Sequence, residues 1–341
     1  MTTRRASIAL VLSIALASTG CLSFHEGRID GAPKGATFAT IKGTPIHYVD
    51  EGEGPVVVLI HGFASSMGAW SSIRKALKGK HRVIALDLKG FGHSGRPEGD
   101  YSPKAQAEIV LGLLEERGVE GPVALVAHSW GSSVALQVAL LAPDRVDRIA
   151  LYDAWVYADQ LPGFFLWSRA DGLGEALIGA YYDQRSDEKM AIAFYDHKYV
   201  TEELVETVED QLSRPGTKAA ALAAIRGQRF EDVETKYKSI DKPALLLWGR
   251  EDRVTTLEYG ERLSKELPKA KLVVYPQCGH FPMIEAATPS TRDLVAFLGE
   301  MAPKAPAASS PRPESPKPEV EPTAPKPEPT EAEPAEEKQQ P

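Results

Sequence analysis

Two short apolar runs constrain this chain more than any other feature. Pro55-Val56-Val57-Val58-Leu59-Ile60 and Val123-Ala124-Leu125-Val126-Ala127 contain no polar residue. A strand with one wet face alternates apolar and polar side chains. A strand apolar throughout is buried on both faces, as inside a parallel sheet covered by helices.

The rest of the pattern extends that reading. Ala36 to Ile41 and Ile46 to Val49 read as short strands joined by a Gly43-Thr44-Pro45 turn. Further strands are expected at Arg82 to Leu86, Arg148 to Tyr152, Ala244 to Trp248 and Leu272 to Tyr275. Helical stretches fall near 68–78, 103–117, 130–141, 257–267 and 289–298. The predicted fold is therefore α/β: a mostly parallel, eight-stranded sheet with helices on both faces. The alternation breaks at 154–238, where helical periodicity continues without strands, as in Thr201-Glu202-Glu203-Leu204-Val205. That segment is predicted to be a helical cap inserted between a first core part, 36–153, and a second, 239–300.

Composition excludes several functions. The 341 residues are 43% hydrophobic and carry a net charge of −8, so nothing electrostatic favours a nucleic-acid partner. The eight histidines are scattered, with no metal-ligand spacing and no HExxH helix, so no metal or cofactor is expected. The two cysteines, Cys21 and Cys278, give no disulfide framework.

Both ends differ from the body. Residues 1–20 join a positive start, Arg4 and Arg5, to an apolar run from Ala6 to Ala17 and small residues before Cys21. This is the pattern of a secretory signal, too short to span a bilayer as a mature helix. Ser18-Thr19-Gly20-Cys21 resembles a bacterial lipoprotein signal, although Ser18 stands where that family prefers a larger aliphatic residue. The resemblance implies lipidation of Cys21 and a membrane tether in the cell envelope. With Leu22 after the cysteine, it implies the periplasmic side of an outer membrane. A plain secreted protein is the alternative. Residues 21–35 read as a linker. Residues 301–341, rich in Pro, Glu, Ala and Lys, read as a disordered tail.

The chemistry concentrates at strand ends. Ala127-His128-Ser129-Trp130-Gly131 lies where a buried strand turns into a helix. Such a turn lifts its middle residue towards a cleft and needs small neighbours, usually as G-x-S-x-G; here Ala127 replaces the first glycine. Ser129 is the candidate nucleophile. His280, in Cys278-Gly279-His280-Phe281, is the candidate base. Asp252, in Gly249-Arg250-Glu251-Asp252, is the candidate acid that orients the base. Asp153, also after a strand, is its rival. The backbone N–H groups of Phe63, after His61-Gly62, and of Trp130 are the candidate oxyanion donors. His61, Asp87 and His128 read as structural, Glu251 as solvated and Cys278 as a small packing residue.

Over about residues 36–300 these motifs, with the Asp87-Leu88-Lys89-Gly90-Phe91-Gly92-His93-Ser94 loop, resemble the α/β-hydrolase superfamily. The texture is that of its capped branch of esterases, proline iminopeptidases, C–C bond hydrolases, epoxide hydrolases and haloalkane dehalogenases. Ser129 argues against the last two, which use an aspartate nucleophile. The resemblance implies hydrolysis of a carboxylic ester through an acyl-enzyme, with amide, peptide, C–C bond and lactone hydrolysis open. A non-catalytic envelope-binding module is the alternative of another kind. Ten aromatic residues between 155 and 199 suggest a small apolar or aromatic substrate.

Overall fold

The computed structural model describes residues 22–182 and 184–301. The signal-like segment with Cys21, and nearly all of the Pro-rich tail, lie outside the described residues.

Eight strands form one sheet: β1 Thr37–Ile41, β2 Thr44–Glu51, β3 Val56–Ile60, β4 Arg82–Leu86, β5 Val123–His128, β6 Val146–Tyr152, β7 Ala244–Gly249 and β8 Ala270–Tyr275. Their spatial order is β1-β2-β4-β3-β5-β6-β7-β8. Strand β2 runs antiparallel to β1 and β4, and every later pairing is parallel. The predicted sheet is thus the observed one. The first hairpin turns one residue earlier than expected. Ile41 pairs with Thr44, leaving Lys42 and Gly43 at φ 49° and 76°. Two successive positive φ values suit the twist of a two-residue hairpin loop.

The pleat sorts side chains into two layers. Val56, Val58 and Ile60 of β3 join one core cluster; Val57 and Leu59 join the other. The first layer is covered by α2 Pro103–Glu116 and α3 Gly131–Leu141; the second by α1 Ser71–Leu77 and, beyond β8, by α11 Ala287–Gly299. Between β6 and β7 come the inserted helices: α4 Gly163–Trp167, α5 Leu173–Tyr182, α6 Ser186–Ala193, α7 Glu202–Ser213 and α8 Thr217–Gly227. After β7 come α9 Leu257–Glu266 and the short α10 Pro282–Glu285.

Residues 22–35 form no helix or strand beyond one isolated bridge, but they pack on the body. Phe24 stacks on Tyr101 at 5.9 Å. The backbones of His25 and Arg96 exchange two hydrogen bonds, of 3.0 and 3.1 Å.

Candidate active site

Ser129 sits between β5 and α3 at φ +51°, a left-handed conformation that costs a non-glycine residue energy. Neighbours hold it there. Its N–H donates to the Tyr152 carbonyl at 2.9 Å, and its carbonyl accepts from Trp155 N at 3.1 Å and Ser132 N at 2.9 Å. A Cβ on Gly131 would come within 2.3 Å of the His61 carbonyl oxygen, so only glycine fits that side of the turn. On the other side the methyl of Ala127 is buried in the core layer between Ile60 and Leu151, which accommodates the departure from glycine.

The loop after β3 closes on this turn. A Cβ on Gly62 would lie 3.0 Å from the Ser129 Cβ. His61 fixes the loop. Its Nδ1–H donates to the Gly62 carbonyl at 2.7 Å, and its Nε2 accepts from Leu88 N at 3.0 Å. Both bonds need a neutral ring, and burial lowers the His61 pKa accordingly. Leu88 belongs to the glycine-rich loop, which Asp87 organises in turn. The Asp87 carboxylate accepts from His47 Nδ1 at 2.7 Å, Met67 N at 2.7 Å and His93 N at 2.9 Å. Burial opposes its charge, but the His47 hydrogen bond and the nearby imidazoles hold its pKa below the usual aspartate value. Trp130 N opens α3, where the first N–H groups of a helix have no intrahelical acceptor.

Asp252 and His280 come from the loops after β7 and β8. His280 Nδ1 lies 2.8 Å from Asp252 Oδ2, and both residues are buried. Asp252 Oδ1 accepts from Val254 N at 2.7 Å and Thr255 N at 3.1 Å, while the Thr255 hydroxyl reaches Oδ2 at 2.6 Å. Burial again opposes the charge, but His280 and these donors keep the Asp252 pKa low. Thr255 was not singled out from the sequence. Its only mark in the sequence is a hydroxyl three residues after an Asp, within reach of the local turn that Asp side chains favour.

Asp153 stands apart. Its Oδ1 accepts from Gly249 N at 2.9 Å, while its buried Oδ2 has no hydrogen-bond partner among the described residues. Burial, then the negative charge of Asp252, raises its pKa well above the ordinary value. Asp153, Asp252 and His280 form an acidic cluster of the kind that can hold a metal. The Asp252 oxygens are already committed to four donors, so the set is a hydrogen-bonded relay rather than an open ligand cage.

The His280 loop is tied down elsewhere. Glu251, expected to be solvated, instead accepts from Cys278 N at 3.1 Å, because the two loops run side by side. Glu285 accepts from Gly279 N at 2.8 Å, Tyr195 N at 2.8 Å and Asp196 N at 3.0 Å. It thereby joins this loop to the inserted helices. His280 N donates to the Ala193 carbonyl at 2.7 Å. His128 Nε2 donates to the His280 carbonyl at 2.7 Å, and burial pushes its pKa down to about 3. Cys278 is buried, with its thiol pKa raised by burial.

Aromatic rings gather on the loop after β3 and beside His128. Phe63 meets Phe91, Trp130 and Phe165 with centroids 5.5, 6.2 and 5.7 Å away. Phe281 lies 4.8 Å from both His128 and Phe194. Of the ten aromatic residues between 155 and 199, Phe165 and Phe194 join these ring clusters, whereas Trp167 and Tyr195 are exposed.

A mostly parallel sheet with a strained serine turn after one strand and a bonded His–Asp pair on the loops after two others defines a hydrolase scaffold, and comparison agrees. The chain belongs to the α/β-hydrolase family, whose alpha/beta hydrolase fold profile matches residues 55–287. It is an enzyme of the hydrolase class. It is 31% identical over 268 residues to a 2-hydroxy-6-oxononadienedioate/2-hydroxy-6-oxononatrienedioate hydrolase of Paraburkholderia phymatum, covering 75% of this chain and 91% of that protein. It is similar in structure to a meta-cleavage product hydrolase from Pseudomonas fluorescens, with TM-score 0.67 and 28% identity over 77% of this chain and 97% of the other. A thermophilic esterase from Thermogutta terrifontis gives TM-score 0.67 and 25% identity, over 77% and 98% of the two chains.

Proposed function

We propose that the protein hydrolyses a carboxylic ester of small apolar or aromatic character through an acyl-enzyme at Ser129. The observation that carries this reading is the strained, pinned Ser129 turn whose neighbour His128 packs on the His280 ring at 4.7 Å, with that imidazole held by Asp252 at 2.8 Å. With Nδ1 engaged by Asp252, Nε2 of His280 is left to take the serine proton. Ser129 Oγ then attacks the carbonyl carbon. The N–H groups of Phe63 and Trp130 stabilise the oxyanion. His280 returns the proton to the leaving alcohol, and water repeats the sequence to release the acid. No step needs a cofactor. The aromatic ring clusters favour an uncharged acyl or alcohol group.

A second reading is hydrolysis of a C–C bond beside a carbonyl. The meta-cleavage product hydrolase from Pseudomonas fluorescens supports it. Assaying p-nitrophenyl butyrate, a short N-acyl amide, a lactone and a ring-opened 2-hydroxy-6-oxo-dienoate separates these readings. Fastest turnover of the ester, lost in Ser129→Ala, is expected. Fastest turnover of the dienoate would replace the ester reading with the second one. Unchanged turnover in Ser129→Ala would remove the serine from the mechanism.

The enzyme is also proposed to be tethered to the periplasmic side of an outer membrane by a lipid on Cys21. Support comes from the charged and apolar pattern of residues 1–20. No helix among the described residues is long and apolar enough to cross a membrane. A lipid mass on the peptide beginning at Cys21 is the expected result.

A further inference from the structure

The exposed apolar side chains are unevenly placed. Six large ones are exposed among the described residues, and five of them, Leu166, Trp167, Leu173, Ile192 and Tyr195, lie on the segment inserted between β6 and β7. Trp167 is 64% exposed, although the other four tryptophans are at most 8% exposed. Leu166 and Trp167 end α4, and Leu173 begins α5. Exposed apolar groups concentrated in one inserted segment mark a contact surface, and Trp favours the boundary between water and lipid.

The N-terminal segment contacts a neighbouring inserted helix, α8. Leu22 and Phe24 pack against the core, so the described body begins at the residue that follows Cys21 in sequence. A Cβ on Gly216, which caps α8, would lie 2.9 Å from His25. At the other end of α8, Arg226 donates to the carbonyls of Ser168 and Ala170, in the turn between Trp167 and Leu173. Gly216 and Arg226 are ten residues apart along the helix, a span of roughly 15 Å at 1.5 Å per residue.

We propose that the inserted helices rest on the bilayer surface, with Leu166, Trp167 and Leu173 inserted among the lipid headgroups and upper acyl chains. This inference rests on the tether at Cys21. A lipid there holds the body against the membrane, within about one helix length of these side chains. The chain's own Pro- and Glu-rich tail is a poor alternative occupant, since residues 302–341 contain one Val and no aromatic residue. Apolar substrates dissolved in the bilayer then reach the enzyme from the membrane side.

Trp167 is its own reporter. The full mature chain is reconstituted in phosphatidylcholine vesicles, with and without brominated acyl chains, as wild type, Trp167→Phe and Leu166→Ser/Trp167→Ser/Leu173→Ser. A cooperative urea unfolding transition checks that each variant folds. Brominated lipid is expected to quench wild-type emission, and the quenching should disappear in Trp167→Phe. Equal emission in both lipids, from protein that floats with the vesicles, overturns the docking and leaves the tether intact. Protein that neither floats nor carries a lipid on Cys21 overturns the tether and the docking with it. Dimerisation without lipid that the triple variant abolishes assigns the face to a second copy and also overturns the proposal. Absence of any hydrolysis bears only on the catalytic reading.

Discussion

Asp153 and Asp252 bring two carboxyl groups within 4.8 Å of each other and of the His280 ring, yet only Asp252 bonds the imidazole. The difference is one of donors. Asp252 collects two N–H groups, a hydroxyl and the ring, whereas Asp153 receives one N–H. Two adjacent buried carboxylates cannot both ionise cheaply, so the better-solvated partner takes the charge.

Asp153→Asn tests this division. The raised pKa of Asp153 means that its burial costs nothing below the usual aspartate value of 3.8. The cost grows as pH rises towards the folded value, because the unfolded chain then holds fewer protons than the native one. Asparagine cannot ionise, keeps an oxygen for Gly249 N and tolerates φ +43°. Urea unfolding should therefore find the variant more stable than wild type at pH 8, with a smaller margin at pH 4. The tolerance of asparagine for that backbone is pH-independent, so the change in margin is the diagnostic. A margin that does not change between the two pH values would contradict a neutral Asp153.

Asp252→Asn should be far more damaging. Asparagine offers an N–H where His280 Nδ1–H needs an acceptor, and the ring then adopts the wrong tautomer. By analogy with other Ser-His-Asp enzymes, kcat should fall about 10⁴-fold with little change in KM. If Asp153 substituted as the acid, the loss would be an order of magnitude or less. Steady-state kinetics on an aryl ester decide between the two.

The sequence was readable where one interaction dominates. Burial on both faces made β3 and β5 continuous apolar runs, so their strands were found to within a residue. The elbow was legible because crowding against His61 leaves no alternative to Gly131. What could not be read depends on distant partners. The roles of Glu251 and Glu285 follow from N–H groups on neighbouring loops, and an acidic residue in sequence carries no sign of that. The difference between Asp153 and Asp252 was hidden for the same reason. Both follow strands, and only the three-dimensional count of donors separates them.

Glu285→Ala should loosen the connection between the inserted helices and the His280 loop. It leaves the N–H groups of Gly279, Tyr195 and Asp196 without their carboxylate acceptor. The expected cost is about 1–3 kcal/mol in urea unfolding. Amide exchange should rise at all three positions, while the Asp252 loop stays protected. Exchange that rises equally in both loops would mean that Glu285 acts through general stability rather than through this connection.

Cys278 lies two residues from His280, and proximity alone would make it a candidate nucleophile. Its surroundings say otherwise. The residue is fully buried, its thiol meets only the Gly279 carbonyl at 3.6 Å, and burial with the nearby carboxyl groups raises its pKa. A thiol needs its thiolate to react, and here the neutral form is favoured throughout the working pH range. In the native protein at pH 8, iodoacetamide should leave Cys278 unmodified and activity unchanged. In urea the same residue should label fully. Cys278→Ala removes only a small buried group, so it should keep kcat within a few-fold and lose about 1 kcal/mol of stability. Rapid native labelling with loss of turnover would give the thiol a role that its burial denies.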